Sequence, residues 1–214
     1  MDRHQALALF GSLPSRHIRE LWEASAPQSA SQLEPGLYLG RNGGMPRPAK
    51  WVARHLVQRD WFAKLVLEGF GVNVRCRQDG THAMRPSRTV VGGVEVDLPF
   101  RLTDEGFDYC WHVAGVDLRF LQFRDVLRHI ELIRMREVVP EDDLARVGVE
   151  PGEPCEEGDL VIGYMAPLGI EPLAGMPFGM IRDHDPTPAE VESANAYLRR
   201  KRLIDSSAGR ALAA

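Results

Sequence analysis

Lysine is almost missing from this chain. Lys50, Lys64 and Lys201 are the only three among 26 basic residues, the rest being arginine. A bias this uniform reflects genome composition, so the arginines are not read as phosphate ligands. Net charge is −4, which leaves no field of one sign and makes nucleic acid and anionic membrane unexpected partners. Cysteine is scarce too. Cys76, Cys110 and Cys155 are odd in number and form no C-x-x-C, which excludes a disulfide framework and a zinc knuckle. No apolar run approaches the roughly 18 residues of a membrane span. The opening MDRHQALALFGSLP lacks a basic start followed by an uninterrupted apolar stretch, so no signal peptide and a cytoplasmic location are expected.

Chemical fingerprints are missing as well. There is no P-loop, dinucleotide-binding glycine motif, G-x-S-x-G or H-E-x-x-H. Nucleotide-driven chemistry and zinc proteolysis are thereby disfavoured, and no cofactor is expected. Arg182-Asp183-His184-Asp185 has metal-type side chains, but neighbours on an extended chain point in opposite directions, so no metal site is expected. The acidic residues at 141–143 and 156–159 lack the spacing of a calcium loop.

What is present is an ordinary globular balance, 44% hydrophobic and 26% charged over 214 residues, enough for one core. Residues 1–32 read as an N-terminal helical segment and linker. Leu7, Leu9 and Phe10 are apolar in a first helix. Ile18, Leu21 and Trp22 fall at i, i+3, i+4 in a second. SAPQSASQ (25–32) is polar and small, a linker. Residues 33–186 read as a β domain that starts with LEPGLYLGRNGG. Pro48 suits the first turn of a helix running to about residue 58. The stretch from Asp60 is open between helix and strand until the Gly69-Phe70-Gly71 break, after which strand is favoured.

Alternation is clearest in VEVDLPFRL, where Val94, Val96, Leu98, Phe100 and Leu102 share one parity. It persists in FDYCWHV, VDLRFLQF and parts of 127–138. Residues 137–159 form an acidic insertion bearing proline and glycine, expected as a surface loop with one short helix. Two further strands follow, LVIGYMAP and MPFGMIR. Thr187-Pro188-Ala189-Glu190 is a capping box that opens a helix to about residue 203, with basic residues at its C-terminal end. Residues 187–214 thus make a C-terminal helix and tail. Many short alternating strands with tight turns and flanking helices predict an antiparallel sheet closed into a barrel, which removes its edges.

Gly36-Leu37-Tyr38-Leu39-Gly40 gives this fold a context. Preceded by LFGSLPSRHIRELWE and followed by DWFAKLV, with its aromatic pair and lysine, and by the closing strands LVIGYMAPLG and GMPFGMIRD, it resembles uncharacterised bacterial lipocalin-like proteins named for a GXWXG segment. Tyr38 stands where the signature has tryptophan. The resemblance implies an antiparallel calycin/lipocalin-like β-barrel with an internal cavity and carries no established reaction.

Candidate chemistry concentrates in FDYCWHVAGVDLRFLQF (107–123). With the turn at Ala114-Gly115, Trp111 faces Leu118 and Tyr109 faces Phe120. On the other side His112 faces Asp117. Directly opposed, His112 and Asp117 would have Cβ atoms about 5 Å apart, within reach of a hydrogen bond that holds one tautomer. Cys110 lies roughly 6–7 Å along the strand, too far for a direct thiolate–imidazole pair. Tyr38, Phe107, Tyr109, Trp111 and Phe120 are the candidate ligand-lining residues. The first reading is a barrel that binds a small hydrophobic or amphipathic molecule. The second is a cofactor-free isomerase, cyclase or lyase in the same cavity, with His112 and Asp117 as catalytic base and orienting acid. An interaction protein using the acidic loop and C-terminal helix ranks third. Homodimerisation through a helix or a sheet edge is also expected.

Overall fold

A computed structural model describes residues 1–44, 61–77, 85–86, 93–109, 112–113, 116–117, 123–167 and 176–200. Its elements are, in order, α1 (Arg3–Ser12), α2 (Ser15–Ala24), β1 (Ala26–Gln28), a 3-10 turn (Ala30–Gln32), β2 (Gly36–Asn42), β3 (Trp61–Leu67), β4 (Phe70–Val74), β5 (Cys76–Arg77), β6 (Arg85–Pro86), β7 (Val96–Thr103), β8 (Gly106–Tyr109), β9 (His112–Val113), β10 (Val116–Asp117), β11 (Phe123–Glu131), α3 (Leu132–Val138), α4 (Glu141–Ala145), β12 (Asp159–Pro167), β13 (Met176–His184) and α5 (Pro188–Arg200). The antiparallel pairings run β11-β12-β13-β2-β3-β4-β7-β8, and β8 pairs again with β11. Eight strands therefore close into the expected calycin-like barrel, with N-terminal and C-terminal helices around it. Strands β5 with β6 and β9 with β10 form two small sheets apart from the barrel.

Strand alternation divides the apolar residues into two cores. Phe62, Phe100, Phe107, Leu127, Val161 and Phe178, from six strands, pack together as the barrel interior. Leu37, Leu39, Leu65, Val72, Ile162 and Ile181 have the opposite parity and pack outside, against Leu9, Phe10, Ile18 and Leu21 of the two N-terminal helices. Tyr38 belongs to the inner set and its neighbours Leu37 and Leu39 to the outer one.

The glycines of this region make room for rings. Gly40 is directly opposite Phe62, Gly71 opposite Phe100, and Gly163 opposite Phe178. In each pair the aromatic ring lies over its glycine, where a Cβ would come within 2.1 to 2.4 Å of ring atoms. Cross-strand glycine–aromatic pairs let bulky rings fold flat against the wall of a narrow barrel.

Two expectations are corrected, the linker and the common parity from Val94, and two are made definite. The linker at 25–32 contains β1, a ninth strand that pairs with β11 on the outside of the closed ring. Pro27 is tolerated there because an edge strand leaves one side of its backbone unpaired. The segment from Trp61 is strand from its first residue; both of its faces are covered and carry apolar residues, which hides the period of two. The common parity of Val94 to Leu102 does not keep one face. Val94 and Val96 join the outer core while Phe100 and Leu102 join the inner one, because a bulge shifts the β4–β7 register between Val72 and Asn73. The strand signal within 127–138 ends at Glu131, where α3 begins.

The acidic insertion does contain its one short helix, α4. It is anchored rather than freely solvated: Val139, Leu144 and Val149 are buried in the outer core, and His17 Nδ1 sits 2.7 Å from Asp143 Oδ2. The capping box opens α5, with the Glu190 amide donating to Thr187 Oγ1 and the Thr187 amide to Glu190 Oε2. The helix proposed from Pro48 lies outside the described residues.

Two predictions follow from this packing. Gly106 has φ +139, and a Cβ there would lie 1.9 Å from the Asp125 carbonyl oxygen, whereas Gly69 has φ +75 with nothing within 4 Å. Gly69→Ala should cost about 1 kcal/mol from backbone strain alone. Gly106→Ala should cost more than about 3 kcal/mol, because it also forces the β8–β11 seam apart. Urea denaturation measures both. The second concerns His184, which bonds Asp183 and Glu190. Burial pulls its pKa down, but those carboxylates outweigh burial and raise it above 6.5. A histidine raised on folding stabilises fully below its ordinary value and loses that contribution as pH rises through the raised one. The stability of wild type relative to His184→Gln should therefore fall by up to about 1 kcal/mol between pH 6 and pH 9, measured by chemical denaturation at each pH.

Candidate functional site

A charged side chain stands in the middle of the inner core. Lys64 is flanked on β3 by inward Phe62 and Val66, shares their parity, and has no exposed surface. Its Nζ lies 4.9 to 5.6 Å from the centroids of Phe62, Phe100, Phe107, Tyr109 and Phe178. Five ring faces from four strands thus box one ammonium. Such contacts contribute about 0.5–2 kcal/mol each. Dehydrating a cation costs several kcal/mol, and ring faces leave the three N–H protons of the ammonium without hydrogen-bond acceptors.

The remaining balance comes from three polar partners. Lys64 Nζ donates to Asn73 Oδ1 of β4 at 3.1 Å and to the Tyr109 hydroxyl of β8, and lies 3.3 Å from Asp125 Oδ2 of β11. Tyr109 in turn donates to Asp125 Oδ2 at 2.7 Å. Asp125 is as buried as Lys64, and its second oxygen, Oδ1, has no hydrogen-bond partner among the described residues. Burial lowers the Lys64 pKa, against the pull of Asp125. Burial likewise raises the Asp125 pKa, against the pull of Lys64 and Tyr109. The Tyr109 hydroxyl is pushed well above its ordinary value by burial and by the neighbouring carboxylate. The lysine and aspartate shifts both bring the pair towards its neutral form, an amine beside a carboxylic acid.

Local sequence explains the placement. Asp125 lies between inward Phe123 and Leu127 on β11, and Tyr109 lies two residues beyond inward Phe107 on β8. The β8–β11 seam joins them. Asp108 and Phe107 pair with Arg124 and Asp125. Outside the barrel Arg124 clamps Asp108 in a fork at 2.6 and 3.0 Å. The same two strands therefore carry one ion pair outward and present the Tyr109–Asp125 bond inward.

The candidate residues read from the sequence fall differently. Phe107 and Tyr109 line the interior, and so does Tyr38. The Tyr38 hydroxyl is engaged by its own chain, donating to the Glu34 carbonyl at 2.9 Å, and burial raises its pKa to about 12. His112 is opposite Asp117 in the β9–β10 hairpin, in the expected register. Their side chains lie outside the described residues, as do Trp111 and Phe120. That register does not continue into the barrel. The chain advances four residues from Asp108 to His112 but seven from Asp117 to Arg124.

Lys64, Asn73 and Asp125 were not among the sequence candidates. The signal for Lys64 and Asp125 was a polar residue between apolar neighbours of the same parity, Phe62 and Val66 for one and Phe123 and Leu127 for the other. It could be read only once the inward parity of each strand was known. No group of His, Cys, Asp and Glu able to hold a metal occurs among the described residues, and no described helix is long and apolar enough to cross a membrane. No family model, curated protein or solved structure matches the chain. A closed eight-stranded barrel is compatible with a ligand held in its interior, and here that interior has aromatic walls around one ionisable cluster.

Removing one charge of the pair should be worse than removing both. Lys64→Met leaves Asp125 buried without its cation and should cost roughly 3–5 kcal/mol, whereas the double variant Lys64→Met, Asp125→Leu should return to within about 1 kcal/mol of wild type or exceed it. Denaturant melts of the single and double variants check this.

Proposed function

We propose that the barrel binds a small hydrophobic molecule bearing one hydroxyl or carbonyl oxygen. The observation that carries this reading is the buried Lys64–Tyr109–Asp125 cluster at the centre of five aromatic rings, with Asp125 Oδ1 unpartnered among the described residues. A purely structural interior of this size is more simply filled by apolar side chains, since a buried ion pair contributes little net stability. The rings suit an apolar body. The cluster supplies both a donor and an acceptor for an oxygen substituent, and its net charge of zero does not demand a charged ligand. Tyr109 and Phe107 serve as wall, with Tyr109 also belonging to the polar cluster.

A catalytic second reading is favoured by the same cluster. An amine and a carboxyl group whose pKa values are drawn together by burial form an acid–base pair. An isomerase or lyase acting on such a molecule would use Lys64 and Asp125 rather than His112 and Asp117.

Calorimetric titration with toluene, benzyl alcohol and benzaldehyde, which differ at one substituent, tests the binding reading. The two oxygenated compounds should bind at least roughly tenfold more tightly than toluene, the gain from a hydrogen bond to a charged group. Phe178→Ala should weaken all three by about tenfold through lost apolar contact. Equal affinity for toluene, or no binding by any of the three, would remove the proposal.

A further inference from the structure

We infer that Lys64 is a nucleophile that forms an imine with the carbonyl carbon of a small hydrophobic aldehyde or ketone held in the barrel. The inference rests on the binding reading and narrows its ligand to a carbonyl compound. Three features of the cluster carry it. First, the Lys64 amine has no exposed surface, so it meets only what enters the barrel. Second, Asp125 Oδ2 lies 3.3 Å from Nζ and accepts from Tyr109, so a proton leaving the ammonium has a carboxylate to receive it. Third, Asp125 Oδ1 is buried and has no partner among the described residues, which leaves it to face an oxygen on the attacked carbon.

The step balances within these groups. Transfer of one proton from Lys64 to Asp125 leaves a neutral amine and a carboxylic acid. The amine nitrogen attacks the carbonyl carbon, a carbon–nitrogen bond forms, and the carbonyl π electrons move to oxygen. That oxygen takes one proton from the former amine and one from Asp125. It leaves as water when the carbon–nitrogen double bond forms. The product is an iminium on Lys64 with Asp125 as its carboxylate counter-ion, so charge is conserved and no oxidant or reductant is needed. Tyr109 is a positioning residue here, holding Asp125 Oδ2 beside Nζ. The aromatic box favours the product as it does the ammonium, since an iminium is also a cation facing ring quadrupoles. Burial also lowers the Lys64 pKa, which increases the fraction of free amine near neutral pH.

The scarcity of lysine makes the test clean, because Lys50 and Lys201 are the only other side-chain amines. Wild-type protein is incubated at pH 7 with benzaldehyde or octanal and sodium cyanoborohydride, then analysed by intact mass and peptide mapping. Lys64 should carry the reduced adduct in preference to Lys50, Lys201 and the N-terminus by roughly tenfold or more. In Lys50→Arg, Lys201→Arg the adduct at Lys64 should persist, and in Lys64→Met, Asp125→Leu it should vanish. Tyr109→Phe should slow trapping at saturating benzaldehyde and move the pH dependence of the trapping rate. Binding of benzaldehyde with no adduct at Lys64, or labelling spread evenly over the amines, would overturn the inference and leave the binding reading standing. Absence of both adduct and binding would remove the two together.

Discussion

Lys64 and Asp125 form an ion pair in a place where water cannot help either of them. Both are fully buried, and 3.3 Å separates Nζ from Oδ2. The energetic asymmetry of such a pair is what the surrounding structure answers to. Bringing each charge inside costs several kcal/mol, and the rings leave the ammonium protons without acceptors, so fixed polar partners are needed. Asn73 and Tyr109 provide two of these partners from β4 and β8, and β3 and β11 bring the charges themselves. Four strands of the barrel thus converge on one small polar cluster. Its geometry holds only while the barrel is closed, since β8 and β11 meet through a seam of two residue pairs.

The rest of the interior fits the same constraint. Phe62, Phe100 and Phe178 each lie over a glycine of the adjacent strand, which turns ring faces rather than edges towards the centre of the barrel. A ring face presents negative quadrupole to a cation, so the glycines at 40, 71 and 163 act indirectly on Lys64. Outside, the two N-terminal helices and the anchored insertion cover the opposite faces of the strands. This double coverage explains why β2 and β3 are buried along nearly their whole length.

Much of this was legible without coordinates. Period-two alternation gave most of the barrel strands though not β3, the i, i+3, i+4 spacing gave α2, and Thr187 to Glu190 gave the start of α5. Tyr38, one of the candidate lining residues, lies on the inner face. What could not be read was set by non-local pairing. The phase of Val94 to Leu102 breaks at a bulge that no local pattern announces. The β9–β10 register was correct and yet did not extend to Asp108 and Arg124, because the chain takes seven residues from Asp117 to Arg124 against four from Asp108 to His112. Lys64 was visible as one lysine among few. Its partner Asp125 is far away in sequence, in a strand that also alternates charged and apolar residues, and nothing but closure of the barrel brings the two together.

The central claim is that Lys64 sits inside an aromatic box with its charge disfavoured by burial. Protein labelled with 13C at the lysine ε carbon should give three side-chain signals, one for each lysine of the chain. A titration followed by NMR should show one signal with its attached protons shifted upfield by ring currents and with a midpoint clearly below the other two, and that signal should be lost in the Lys64→Met, Asp125→Leu variant. Three signals with unshifted protons that all titrate near the ordinary lysine value of about 10.4 would contradict the account.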